Sequence, residues 1–325
     1  MEVISMKKRV LGNKLKVSEI GLGLMGMDHA YGEPLDRQKA VNLIQKSLDL
    51  GGNFFDTAVI YGEGNEKVLG EAVKDRRDQA VIATKFGITG QKFVNGQPEL
   101  ILDSRPDSIR KQVDESLTRL QTDHIDLYYQ HRVDPNVEPE AVADVMNELI
   151  KAGKIRYWGL SNAPVDYIRR ANAVSPVTAL ENQYSMVYRE PEKEIFALCE
   201  ELGIGFVAYS PLGNGFLSGK YSQQTKYDKS DVRQSMGRFS PEAMAKNQAV
   251  LDLLAEIAAS KGATSAQIVL AWELAQRDFI VPIPGTTKEK RLIENYGAAE
   301  IVLTKDEEKR INDALNQMTI DESYF

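Results

Sequence analysis

Four side chains whose chemistries fit one reaction stand at equivalent places in this sequence. Asp56 and Tyr61 follow one short apolar run, Lys85 ends the next, and His131 follows the one after that. A phenol with an ordinary pKa of about 10 is a poor proton donor at neutral pH, and a nearby ammonium stabilises its phenolate. At about 4 Å and an effective dielectric of about 20 that attraction is roughly 4 kcal/mol, or about three pKa units before desolvation opposes it. Lys85 is therefore expected to make Tyr61 a usable acid. Asp56 would keep Lys85 charged and oriented, and His131 would hydrogen-bond the oxygen of a bound carbonyl. A proton delivered to a carbonyl oxygen is half of a reduction, and the other half needs a hydride source.

Residues so far apart can meet only if their strands end at one face. The runs read as strands are Ile20–Leu24, Asn53–Asp56, Ala80–Lys85, Ile125–Tyr129, Ile155–Ser161, Thr178–Gln183, Gly205–Tyr209 and Ile280–Ile283. Between them lie segments with apolar residues at helical spacing, such as Ile109, Val113, Leu117 and Leu120. Asp107 is expected to precede one helix, Pro139 and Pro164 to open two others, and Gly51, Gly153 and Gly203 to follow helix ends. Eight strand-helix units with no compositional break favour an α/β fold, a (β/α)8 TIM barrel, over a doubly wound sheet. With no Gly-, Pro- or Ser-rich linker, residues 1–325 read as one domain. Lys8–Leu11 and Leu15–Val17 around Gly12-Asn13 read as an N-terminal β-hairpin, and extra helices are expected at Asn247–Ser260 and Asp306–Gln317. The stretch Asn214–Ser240 has no periodicity and reads as a functional loop.

The later strands supply candidates for the missing hydride source. No Gly-rich dinucleotide fingerprint is present, which argues against a Rossmann site. Ser161, Asn162 and Gln183 offer hydroxyl and amide groups suited to a carboxamide. Tyr209 offers a ring face, and Ser210, Pro211, Leu212 and Gly213 offer backbone amides. After the eighth strand, Gly285, Thr286, Thr287, Lys288 and Arg291 place small, hydroxylated and cationic residues at a helix start, a credible phosphate site.

Composition narrows the partners. With 47 acidic against 40 basic residues the net charge is −7, which argues against nucleic acid or an anionic membrane. The start of the chain carries no signal-peptide pattern, no run approaches the roughly 18 apolar residues of a membrane span, and the single Cys199 reads as a buried packing residue. A cytoplasmic setting is the expectation. Three histidines and one cysteine give no metal cluster; His29 and His124 read as surface residues, and Trp158 and Trp272 as packing. Tyr31 is a candidate wall of a substrate pocket.

With these residues laid out, the chain resembles the aldo-keto reductases over almost its whole length. The resemblance rests on Gly21-Leu-Gly-Leu-Met-Gly-Met, Phe55-Asp-Thr-Ala with Tyr61-Gly, Asn65-Glu66, Thr84-Lys-Phe-Gly, Asp126-Leu-Tyr-Tyr-Gln-His, Gly159-Leu-Ser-Asn, Tyr209-Ser-Pro-Leu-Gly and Ile283-Pro-Gly-Thr-Thr-Lys, in that order. It implies a barrel that binds NADP(H) across its carboxyl-end face and reduces aldehydes or ketones. Tyr61 would be the general acid, Lys85 and Asp56 its partners, and His131 the group orienting the carbonyl. Ser161, Asn162 and Gln183 match positions that bind the carboxamide, and Tyr209 the position that stacks on the nicotinamide. Thr286, Thr287, Lys288 and Arg291 match the 2′-phosphate segment, Glu294 and Asn295 face the adenine, and Gly23 and Met25 form the floor. Lys220 and Arg233 match a clamp over the pyrophosphate. Gly285 stands where many relatives carry lysine. The loop after the first strand resembles a bacterial and plant branch acting on small or aromatic aldehydes. Two other readings stay open: a cofactor-sensing subunit of the same fold, and a barrel lyase or isomerase forming a Schiff base on Lys85. The natural substrate and the oligomeric state are not given by the sequence.

Overall fold

The computed structural model describes residues 6–317 apart from 13, 29–30, 95–96, 223 and 228–230. Asn13 of the expected hairpin turn, His29, and parts of the long loop before Ser240 lie outside the described residues.

Twelve strands are present among them. β1 (Lys8–Leu11) and β2 (Leu15–Ser18) pair antiparallel, as expected of the N-terminal hairpin. Eight form one parallel sheet: β3 (Leu22–Gly23), β4 (Phe54–Asp56), β5 (Val81–Phe86), β8 (Ile125–Gln130), β9 (Ile155–Ser161), β10 (Ala179–Gln183), β11 (Gly205–Tyr209) and β12 (Ile280–Pro282). Their spatial order follows their order in the chain, and all eight expected strands are found. The sheet closes where Gly23 bridges Gly285 in parallel and the Gly21 amide donates to the Pro282 carbonyl at 2.9 Å. Glycine is required at this seam, because a Cβ on Gly23 would lie 2.8 Å from the Ile283 carbonyl oxygen.

Alternation along each strand sorts the side chains. Phe54, Val81, Ala83, Leu127, Tyr129, Ala179, Val207 and Val281 fill the barrel interior, where Leu11, Leu15 and Val17 of the hairpin join them as a floor. The alternate residues, among them Ile82, Tyr128, Leu160, Leu180 and Phe206, face the helices. Both strand faces are thus buried, which is why these segments read as unbroken apolar runs.

The helices are α1 (Met25–Asp28), α2 (Arg37–Asp49), α3 (Glu63–Val73), α4 (Pro106–Leu120), α5 (Pro139–Lys151), α6 (Val165–Val174), α7 (Ile195–Leu202), α8 (Pro241–Lys246), α9 (Gln248–Lys261), α10 (Ser265–Gln276), α11 (Glu289–Gly297) and α12 (Lys305–Gln317). Pro139 opens α5 as expected, and Gly203 ends α7 in a left-handed conformation with φ of 67°. Asp107 was expected ahead of its helix but lies in its first turn, because Pro106 takes the N1 position and an acidic residue there faces the positive helix end. The long loop is not wholly irregular: short 3-10 turns occupy Gly213–Ser218, Val232–Ser235 and Gly237–Phe239. The antiparallel hairpin β6 (Ile88–Val94) with β7 (Gln97–Leu102) escaped the sequence reading. It packs few of its residues, leaving Phe93, Leu100 and Ile101 exposed, so no core periodicity marks it. Among the described residues, no helix is long and apolar enough to cross a membrane.

One contact makes a sharp stability prediction. Gly70 lies inside α3, and a Cβ there would stand 2.1 Å from the Leu120 carbonyl oxygen at the end of α4. Gly70→Ala, a favourable change in an open helix, is expected to cost about 1–3 kcal/mol here by overpacking. It should lower the urea midpoint, whereas Lys67→Ala on the exposed face of α3 should leave it unchanged.

Candidate active site

Strand parity brings three ionisable side chains to one height inside the barrel. Asp56 ends β4, Lys85 lies next to last in β5, and Glu181 lies mid-strand in β10. The Lys85 ammonium donates to Asp56 Oδ1 at 2.5 Å, to the Thr57 carbonyl at 3.0 Å and to the Tyr61 hydroxyl at 3.2 Å. Glu181 Oε1 stands 3.3 Å from the same nitrogen. Tyr61 reaches this point because a 3-10 turn, Val59–Tyr61, follows β4 and ends at Gly62, whose φ of 129° only glycine adopts freely. His131, one residue past β8, sets its ring edge-on to Tyr61 with centroids 5.9 Å apart. The expected tetrad is therefore assembled.

Neighbouring polar residues fix the frame. Asn65 accepts from Thr57 Oγ1 at 2.6 Å and donates to the Leu24 carbonyl at 3.1 Å, tying α3 to the ends of β3 and β4. Glu66, also buried, accepts from Thr84 Oγ1 at 2.7 Å and from Arg119 Nε at 2.5 Å. Asn65-Glu66 and Thr84 thus act as supports rather than as reactants.

The electrostatics differ from the simplest expectation in one respect. Tyr61 was expected to be a stronger acid than an ordinary phenol, but its proton is held more tightly than usual. Burial is the largest cause; Lys85 works against it, and the negative charges of Asp56 and Glu181 add to it. Lys85 itself holds its proton more tightly than an ordinary amine, because Asp56, Glu181 and Tyr61 together outweigh the burial that opposes its charge. An ammonium so held is a poor Schiff-base nucleophile, which argues against the lyase reading. Burial, followed by Lys85 and Arg132, pushes His131 well below the ordinary histidine range, so it is a neutral imidazole. The Glu181 carboxyl is raised to about 8, first by burial and then by Asp56.

A cleft of about 850 Å³ opens above these groups. Asp56, Tyr61, His131 and Tyr31 line it, while Lys85 does not. Gly23, Met25, Ser161, Tyr209, Ser210, Pro211 and Leu212 line it as well. Gly285, Thr286, Thr287, Lys288, Arg291 and Asn295 complete the lining, with Lys220 and Arg233. The cations among these lie close together: the Lys220 ammonium is lowered by partial burial and then by Lys288, Arg233 and Arg291. Arg291 is paired with Glu294 at 2.6 Å.

The loops after β3 and β11 meet across the opening. Tyr31 bridges Asp231, Asn214 Nδ2 donates to the Tyr31 hydroxyl at 2.8 Å, and the Arg233 guanidinium lies 4.9 Å from the Tyr31 ring centroid. Arg233 also pairs with Asp231 and with the Tyr221 hydroxyl, so it already has partners within the loop.

Several expected contacts fall elsewhere. Asn162, Gln183, Gly213 and Glu294 do not line the cleft. Asn162 adopts a left-handed φ of 52°, its amide donates to Asn182 Oδ1, and its own Oδ1 accepts from the Tyr209 hydroxyl at 3.2 Å. Gln183 is buried at the end of β10, and the residue of that strand that reaches the cleft is Glu181, two positions earlier on the same face. Glu181 was missed, although an acid within an apolar strand was a readable signal. Asn214 was missed as well. Trp158, Trp272 and Cys199 are buried, as expected of packing residues. His124 is only partly exposed and paired with Asp123 at 2.5 Å. Among the described residues no metal-binding group of three ligands exists.

A family profile described as "Aldo/keto reductase family" matches residues 19–316. The chain is 41% identical over 302 residues to a probable aldo-keto reductase 1 of Glycine max, covering 92% of this chain and 86% of that one. A glycerol dehydrogenase structure from Gluconobacter oxydans superposes with a TM-score of 0.86 at 27% identity, covering 100% of both chains. An aldo/keto reductase from Klebsiella pneumoniae, solved in complex with NADP and acetate, shares the fold with a TM-score of 0.73 at 24% identity, covering 98% of this chain and 99% of that one.

The buried cluster yields a prediction on stability. Lys85→Met leaves Asp56 and Glu181 without their cation, so the folded variant can keep them only by protonating both. Removing one partner of such a group typically costs about 3–5 kcal/mol. The unfolded chain gives up these protons near ordinary carboxylate values, so the cost should be smallest near pH 5 and grow as pH rises. Urea unfolding of parent and variant at pH 5.5 and 8.5 checks both the loss and its sign.

Proposed function

The chain belongs to the aldo/keto reductase family, and from that membership we propose that it reduces aldehyde or ketone carbonyls to alcohols with hydride from NADPH and a proton from Tyr61. The observation that carries this reading is the contact of the Lys85 ammonium with the Tyr61 hydroxyl at 3.2 Å, over a carboxylate and beside a neutral imidazole, at the base of a deep cleft.

The residues present fit NADP(H). The cleft is lined both by Asp56, Tyr61 and His131 and by Lys220, Arg233, Lys288 and Arg291, a combination of proton donor and cations that suits an extended dinucleotide with phosphates. Gly23 and Gly285 bring bare backbone to its floor. Lys288 and Arg291, with Thr286 and Thr287, would hold the 2′-phosphate, Asn295 the adenine, Ser161 the carboxamide and Tyr209 the ring face. When bound, the cofactor supplies the hydride.

The chain's own groups handle the proton. His131, neutral, donates one N–H to the carbonyl oxygen and fixes its position. As negative charge grows on that oxygen, Tyr61 passes its proton to it, and the phenolate left behind is held by Lys85. Tyr61 is a tightly protonated phenol in the resting site, so it keeps its proton until the oxygen becomes basic enough to take it. Asp56 and the Thr57 carbonyl keep Lys85 aimed at the phenol. Tyr31 on the wall of the pocket favours aldehydes with an apolar or aromatic body.

Tyr61→Phe removes the donor while keeping the ring. Its kcat for NADPH-dependent reduction of an aldehyde panel, read from loss of reduced-nicotinamide absorbance, should fall by about 10²–10⁴-fold. Retention within a few-fold of the parent would refute the assignment, and an inactive parent that still binds NADPH would overturn the reductase reading. A separate prediction concerns the phosphate. Arg291→Ala should weaken NADPH binding by about tenfold or more, the value of one charge-assisted contact, and leave NADH binding nearly unchanged. Cofactor fluorescence titration decides it, and equal losses would contradict it.

A further inference from the structure

The site contains a carboxyl that the four-residue scheme does not use. Glu181 lies on β10 in register with Ser161 of β9 and Val207 of β11, with its side chain inside the barrel and only 3% exposed. Oε1 is 3.3 Å from Lys85 Nζ, the same nitrogen that donates to Asp56 Oδ1 at 2.5 Å. One oxygen on each carboxyl, Asp56 Oδ2 and Glu181 Oε2, is buried without a hydrogen-bond partner. A single ammonium thus faces two carboxyl groups in a space nearly closed to water.

Charge balance decides what such a trio holds. Lys85 can neutralise one carboxylate, and a second negative charge there would be unbalanced in a low-dielectric interior. Two carboxylate oxygens can only accept, so one carboxyl bonds the other only through a proton. We propose that Glu181 is a positioning residue that shares one proton with Asp56 above Lys85 and thereby governs the pH range over which the Lys85–Tyr61 pair gives and takes a proton. This rests on the function proposed above for Tyr61.

Among the described residues, no other acid lies against Lys85. Asp56 comes from β4, with Tyr61 after it, Lys85 from β5, and Tyr129 and His131 from β8. Tyr129 faces the same interior as an unpartnered phenol whose proton is held by burial, Glu181 and Asp56. His131 is neutral, and Arg132 beside it donates to Ser161 Oγ at 3.3 Å. β11 and β12 contribute Val207 and Val281, and Ile283 follows β12; none of these titrates, and Tyr209 at the end of β11 turns its hydroxyl to Asn162.

The sign of the effect follows from the charge. With its proton on, Glu181 leaves the trio neutral, and Lys85 is free to stabilise a Tyr61 phenolate. Once Glu181 loses that proton, its negative charge makes Tyr61 hold its own more tightly, which weakens it as a donor in reduction and suppresses the phenolate needed as base in alcohol oxidation. A carboxyl raised to about 8 puts this change in the mildly alkaline range.

Two measurements on Glu181→Gln, which keeps the shape and cannot ionise, test the proposal with the full chain. The first is kcat/KM for aldehyde reduction from pH 6 to 10. The parent should fall by about tenfold near and above pH 8, and the variant should lose that fall and stay within about twofold of its neutral value. In the oxidation direction its rising limb should move to lower pH. The second is infrared difference spectroscopy of the cofactor-free proteins. The parent should show a protonated-carboxyl stretch at pH 6.5 that is absent from the variant and lost from the parent as pH passes 8. An active parent whose alkaline limb survives in Glu181→Gln, or a difference spectrum with no such band, overturns the proposal. A parent with no reductase activity overturns the function proposed above, and the infrared band then still decides whether Glu181 carries the proton.

Discussion

A lysine ammonium enclosed in the middle of a protein is the constraint on which this structure turns. Burying an unpaired cation is costly, and Lys85, only 1% exposed, is tolerable because oxygens surround it: Asp56, the Thr57 carbonyl, Tyr61 and Glu181. Each comes from a different backbone position, so the register of β4, β5 and β10 must be right for the charge to be satisfied. A one-residue slip in any of them would turn its group to the helix layer. The chemistry and the fold therefore share one requirement, and the barrel is held to one arrangement at the height where reaction occurs.

The rest of the molecule serves this in layers. The N-terminal hairpin closes the amino end of the barrel with Leu11, Leu15 and Val17, which pack with the apolar interior below the tetrad. Gly159 leaves room for the Tyr129 ring, which a Cβ there would meet at 2.5 Å. Asn65 and Glu66 carry the position of α3 to the turn that presents Tyr61. At the opposite face, loops take over and gather cations from two separate parts of the chain, Lys220 with Arg233 and Lys288 with Arg291. Rigid strands hold the proton-transfer groups, and longer, more adaptable segments hold the charges facing the cleft.

Much of this was legible because strand ends are marked twice in a sequence, by apolar runs and by the polar residue that ends them. Asp56, Lys85 and His131 each stand at such a boundary, and a barrel brings such boundaries together. What sequence did not reveal depends on three dimensions. The choice between Glu181 and Gln183 turns on the height at which β10 meets its neighbours, which neither residue type states. The tight hold on the Tyr61 proton was not legible because the pairwise attraction of Lys85 can be written from residue types, whereas the extent of the opposing burial is set only by folding. The β6–β7 hairpin was invisible because it has little buried face to impose a pattern.

The seam of the barrel has its own bearing on how the chain reaches this state. Residues 22–23 must pair beside 280–285, so the ring cannot be completed until nearly the whole polypeptide is available. Until then the first strands have an open edge. Closure is a late event built on distant partners, the slow kind of contact in folding. Since β3 is only two residues long and the seam is lined by glycine, that waiting edge offers little surface for wrong pairing. A brief first strand thus protects the unfinished barrel from its neighbours on the way to a closed one.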